Sequence, residues 1–156
     1  EYLHKTDESP TAELTKNLLA DIGENGTILV WNSSFEKNCN NLLGKIAREH
    51  KDKLKAVNNR IVDLMIPFSN QWFVDYRFKG SASIKNVLPV MAPELSYKNL
   101  DIQEGGTAQR LWMEAVLEKK HEANKQKILD DLVLYCGLDT LAMVEIYKKL
   151  LQIIED

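Results

Sequence analysis

Cysteine is scarce: Cys39 and Cys136 are the only two in 156 residues, too far apart to make a metal-ligand spacing or a disulfide framework. Both read as small buried apolar side chains. Long hydrophobic runs are missing too. Nothing approaches the roughly 20 apolar residues that span a bilayer, and no basic-then-apolar leader opens the chain, so a cytoplasmic protein with no membrane partner is expected. Nor is there an excess of basic charge, with 20 Lys and Arg facing 23 Asp and Glu for a net charge of -3. That balance argues against wholesale wrapping of DNA, while an enzyme gripping only a strand end tolerates it.

What is present is an ordinary globular mixture, 44% apolar and 28% charged, enough to bury one core and consistent with a single domain over residues 1–156. The chain opens on Glu1 rather than Met, and Glu1-Tyr-Leu-His4 reads as the tail of a strand begun earlier. An N-terminally truncated domain from a longer polypeptide is expected.

Ser9-Pro10 signals a helix start, Leu14, Leu18, Leu19 and Ile22 share a face, and Gly23 ends the helix. After the turn dipeptide Asn25-Gly26, Thr27-Ile-Leu-Val-Trp31 is β-branched and continuously apolar, the pattern of a strand buried on both faces. Phe35, Cys39, Leu42, Leu43 and Ile46 predict one helix, and Leu54, Val57, Ile61 and Leu64 a second that runs to Pro67. Lys45, Arg48, Lys51, Lys53, Lys55 and Arg60 make this stretch basic, either a phosphate-contacting patch or, more commonly, a solvated face. The aromatic stretch from Ser69 to Gly80 holds Trp72, Phe73, Tyr76 and Phe78, as a roof over the core or a stacking platform for bases. Short helices are predicted at Ser83–Leu88, before Pro89, and after Gly105-Gly106-Thr107, and a long one from near Asn124 to Ile154. The order implies an α/β or α+β domain rich in helix.

Two places carry chemistry. Asp139 is the only charged residue between Leu132 and Val144, in a segment apolar nearly all round and therefore expected to be buried. A carboxylate there needs a cation or strong donors. In a continuous helix Tyr135, four residues earlier, shares its face; alternatively Gly137 breaks the helix and Asp139 caps the next one. The second place is Asn32-Ser-Ser-Phe-Glu36, a polar residue at a strand end with a carboxylate one turn on. Here the alternative is a capping box made by Ser33 and Glu36.

In their order, Asn32-Ser-Ser-Phe35-Glu36 and Tyr135-Cys-Gly-Leu-Asp139 resemble the second and third motifs of the Tyr-bearing branch of the DEDD 3′-5′ exonucleases. Arg60-Ile-Val-Asp63-Leu resembles the Asp-containing segment that many of these exonucleases carry after the second motif, while Gly80 to Pro89, Leu95 to Gln103 and Tyr135 to Val144 are similar to an uncharacterised bacterial domain family within that superfamily, one that often follows a fused RecB-type nuclease module. The resemblance covers most of Gly26 to Leu151. It implies an α/β, ribonuclease-H-like fold, helix-rich and lacking its first strands here, and two-metal hydrolysis of phosphodiesters with Mg²⁺ or Mn²⁺. Glu36 and Asp139 would be the metal ligands, and Tyr135 would orient the attacking water. Asn32 and Phe35 would support the site or the substrate, a single strand or 3′ end of nucleic acid. Asp63 is an outside candidate with a structural alternative.

Two departures qualify what the resemblance implies. Position 36 is Glu where the family has mostly Asp, and the Asp-x-Glu of the first motif occurs nowhere in the chain. Half of the acidic ligand set is therefore missing from these residues, so the fragment itself is expected to be inactive, and the alternative is a non-catalytic module that binds nucleic acid or a partner protein. A sheet without its first strands exposes an edge, which predicts self-association of the fragment.

Overall fold

Pro10 cannot donate an N–H, but its carbonyl accepts from Leu14 N at 2.8 Å and so opens the first helix, α1 (Thr11–Ile22). Gly23, at φ 64°, ends it in a backbone conformation that favours glycine. This is a computed structural model, and it describes residues 2–155. The chain divides into two compact units, Ser9–Ala82 and a second made of Leu3–Glu8 with the chain from Ser83 onward.

The Ser9–Ala82 unit is built on a parallel crossover. Strand β1 (Ile28–Val30) leads into α2 (Ser33–Ile46) and α3 (Lys51–Arg60), and the chain returns as β2 (Ile61–Asp63) alongside β1. The register pairs Ile28 with Ile61, Leu29 with Val62 and Val30 with Asp63. Leu64 N donates to Val30 O at 2.8 Å just beyond the strand. The second predicted helix is thus shorter than its apolar spacing suggested, and Ile61 and Leu64 lie outside it. Both are buried, as the spacing required, but the β-branched pair Ile61-Val62 takes its backbone partners from β1. Of the strand expected to be buried on both faces, only Val30 is fully covered.

Arg60, read as part of a basic patch, is committed elsewhere. Its guanidinium donates to the carbonyls of Gly23 (2.6 Å), Asn25 (2.6 Å) and Gly26 (3.1 Å), fastening the turn before β1 to the end of α3. Between α2 and α3, Asn40 Nδ2 donates to Asn58 Oδ1 at 2.8 Å, which satisfies a buried amide. Gly44 lets the two helices close: a Cβ there would stand 3.4 Å from Lys51 Cα. After β2 comes the single turn α4 (Ile66–Ser69), and Trp31, Phe68, Phe73 and Phe78 pack as an aromatic cluster with centroids 5.5–6.0 Å apart. The four aromatic residues of the 69–80 stretch therefore divide: Phe78 is buried in the core and the half-buried Phe73 packs against it, while Trp72 and Tyr76 are 72% and 89% exposed.

In the other unit, α5 (Ile84–Met91) continues through Pro89, past the boundary expected before it, because Val87 and Leu88 are fully buried and hold the turn in place. Each such aliphatic side chain is worth about 1.5–3 kcal/mol of burial, comparable to the cost of an interior proline of about 3 kcal/mol. Helix α6 (Gly105–Trp112) ends in one wider π turn, Met113–Leu117, and Trp112 Nε1 donates to His4 O at 2.8 Å, tying down the Leu3–Glu8 segment. The last helix, α7 (Lys125–Glu155), packs on α5 and α6. It buries Leu129, Leu132, Tyr135, Ala142 and Ile146 on one side only. Leu134, Leu141 and Val144 are exposed, and so is Cys136, so the segment around Asp139 is not buried all round; Cys39 is likewise only partly covered. Among the described residues no helix is long and apolar enough to cross a membrane.

Candidate functional site

The residues singled out by sequence fall into two groups, one in each unit. In the Ser9–Ala82 unit, Asn32 follows β1 with φ 75°, a left-handed conformation that Asn tolerates better than most residues. Its side-chain oxygen accepts from Phe35 N at 3.4 Å, so Asn32, and not Ser33, caps α2. Phe35 is 61% exposed in the first turn. Glu36, in the same turn, is half-buried, and that burial pushes its carboxyl up from the usual carboxylate range. Among the described residues no basic side chain offsets that desolvation.

Asp63 lies at the end of β2 and faces the same junction. One carboxylate oxygen accepts from Asn32 N (3.1 Å) and Met65 N (3.0 Å), the other from Ser33 N (2.7 Å). Partial burial raises its pKa, but the N–H groups of Ser33, Met65 and Asn32 outweigh that and hold it below the usual range. Its role is to pin the β1–α2 junction, and through it the backbone that presents Asn32 and Glu36.

In the second unit, α7 runs unbroken through Gly137. Asp139 is therefore an interior helix residue rather than a cap, with Tyr135 one turn before it on the same side. A third side chain completes this group: Tyr97 Oη donates to Asp139 Oδ1 at 2.6 Å, and the Tyr97 and Tyr135 rings stand 6.1 Å apart. Both rings are buried. Burial first, and then the neighbouring Asp139 carboxylate, push both phenols far above their ordinary value. Each stays protonated throughout the working pH range, so Tyr135 can hold or orient a polar ligand by hydrogen bonding but is no phenolate base. Gly105, at the start of α6, neighbours the Tyr135 hydroxyl, and a Cβ there would meet it in ordinary contact at 3.7 Å. Tyr97 was missed as a functional residue because its partner is 42 positions away and no local spacing reports the pair.

Among the described residues no group of three or more His, Cys, Asp or Glu side chains is placed to hold a metal ion. Hard divalent cations take six or more oxygen donors. Asp63 is occupied by backbone donors and Asp139 by a phenol, so the described residues do not by themselves make a two-cation site.

The chain belongs to the family described as a domain of unknown function (DUF2779), whose match covers residues 1–83. It is 29% identical over 131 residues to the uncharacterized protein MG366 of Mycoplasma genitalium, and 28% identical over 131 residues to the MG366 homolog of Mycoplasma pneumoniae. Each alignment takes in 77% of this chain and 20% of the relative, so the chain spans about a fifth of the length of the curated relatives it matches. Alignments of that length run beyond residue 83 and reach residues outside the family match. No solved structure matches the chain.

Proposed function

We propose that this chain is the part of a ribonuclease-H-like 3′-5′ exonuclease that carries its second and third acidic motifs, acting on single-stranded ends of nucleic acid. The observation that supports this most is Asp139. It is an interior residue of an unbroken helix, i+4 from Tyr135, with its carboxylate gripped by the buried phenol of Tyr97. Neither capping nor ion pairing accounts for a carboxylate in that position. Asn32 and Glu36 carry the second motif, at the carboxyl end of a parallel strand where α/β proteins bind ligands.

In this reading Glu36 and Asp139 are the two carboxylates that the chain contributes, Tyr97 sets the rotamer of Asp139, and Tyr135 offers a protonated hydroxyl beside it. Mg²⁺ or Mn²⁺ would supply the activated water, but the present residues do not hold such ions by themselves, and the remaining acidic ligands would have to come from other parts of the polypeptide. That shortfall also favours a second reading, a non-catalytic relative that keeps the fold for binding. The two separate in one assay. The whole open reading frame, incubated with Mn²⁺ or Mg²⁺ and a 5′-labelled single strand, should shorten it stepwise from the 3′ end, and Asp139→Asn should abolish this; a full-length protein without such activity supports the second reading.

A further inference from the structure

The loop between α4 and α5 leaves a cavity of about 440 Å³ in the Ser9–Ala82 unit, lined among others by Phe73, Tyr76, Phe78, Gln71, Asp75 and Ser81. That volume lies within the range of small-ligand pockets, roughly 300–1,000 Å³. Phe68, Phe73 and Phe78 present ring surface to it, and Gln71 and Ser81 add groups able both to donate and to accept hydrogen bonds. Tyr76 lines the cavity and is 89% exposed; Trp72, nearby in the same loop, is 72% exposed. Large aromatic side chains left in water next to a cavity mark a surface used for binding.

Charge narrows the occupant. Asp75 is the one acidic residue in the lining, and Arg77 neutralises it through its backbone N–H (2.8 Å), Nε (2.9 Å) and Nη2 (2.6 Å). Both carboxylate oxygens are engaged by Arg77, whose hydrogen bonds hold that carboxyl down at about 2. Lys79 stands exposed two residues on. The unit as a whole carries ten Lys and Arg against eight Asp and Glu, whereas the remainder of the chain carries ten against fifteen. Aromatic faces, hydrogen-bonding groups suited to base edges and the more basic half of an acidic chain together fit an unpaired nucleobase followed by its phosphates.

We propose that the 68–82 loop cavity is a single-strand binding site, in which an unpaired base stacks on Tyr76 with Trp72 as a flanking platform while Lys79 meets the backbone phosphate. This deepens the nuclease reading and rests on it for the substrate class. It is tested on the whole protein with short fluorescein-labelled oligo(dT) and oligo(U), measured by anisotropy beside the same sequences in duplex form. Single strands should bind more tightly than duplexes, and Trp72→Ala combined with Tyr76→Ala should weaken them about tenfold or more, some 1.4 kcal/mol, as loss of a base–aromatic stack does. Both side chains are exposed, so circular dichroism should be unchanged. Lys79→Ala should flatten the salt dependence. Wild-type affinity in the double variant overturns the proposal, as does an absence of single-strand binding. Asp139-dependent cleavage that persists unaltered in the double variant overturns the pocket and leaves the nuclease reading standing. Binding lost in the double variant of a protein that never cleaves supports the pocket and removes the nuclease reading.

Discussion

Asp63 and Asp139 are both partly covered aspartates in sequence segments that looked functional, and their surroundings separate them. Asp63 is met by three backbone N–H groups from Asn32, Ser33 and Met65, donors fixed by the chain itself. Asp139 is met by phenols, from Tyr97 directly and from Tyr135 alongside. Backbone donors cannot be withdrawn without unfolding the junction, whereas a side-chain hydroxyl can turn away when a ligand arrives. The first arrangement makes a structural carboxylate and the second leaves one adaptable.

The largest effect that would break this contrast is at Asp63. Asp63→Ala strands three donors, and with charge-assisted bonds worth about 1.5–3 kcal/mol each and water replacing part of that at a half-exposed site, a loss of about 2–3 kcal/mol is expected in urea unfolding. An unchanged midpoint would mean the junction does not depend on it. Arg60→Met should come next, about 1–2 kcal/mol, because it releases the carbonyls of Gly23, Asn25 and Gly26 at a partly hydrated turn. Tyr97→Phe should cost only about 1 kcal/mol of stability while lowering any nuclease activity about 10–100-fold, the usual penalty for losing a partner that orients a ligand-bearing side chain. Equal, small effects on both would make Tyr97 merely a core residue.

The smallest effect tests sign rather than size. Asp63 has a lowered pKa, so its stabilisation is present above the ordinary carboxylate value and is lost as pH falls through the lowered one. Glu36 has a raised pKa, so its contribution is most favourable at low pH and is lost as pH rises through the raised value. Glu36→Gln should therefore leave stability at neutral pH equal or slightly higher and remove that part of the pH dependence. Unfolding midpoints compared at acid and neutral pH check both residues, and a clear destabilisation by Glu36→Gln at neutral pH would contradict the assignment.

How far the sequence revealed this molecule depends on how local each determinant is. α1, β1 and α7 were legible because capping, turn dipeptides and long periodic runs act within a few residues. β2 was not, since Ile61 and Leu64 continue the helical spacing of Leu54 and Val57, and only pairing with a strand some 30 residues earlier reveals a different conformation. Tyr135 and Asp139 were found by their i, i+4 spacing, but whether Gly137 broke the helix between them was open, and it does not. Tyr97, Arg60 and the outward turn of Trp72 and Tyr76 have no short-range signature. Each is defined by where the chain returns, and that is tertiary information.

The central claim is that Asp139 is a working carboxylate and not a structural one, and the most direct measurement is 3′-end digestion of a labelled single strand by the whole open reading frame with and without Asp139→Asn. The account predicts cation-dependent shortening that falls by more than about 100-fold in the variant, beyond what loss of an outer partner alone produces, with the unfolding midpoint little changed. Undiminished digestion by a folded Asp139→Asn protein would contradict it.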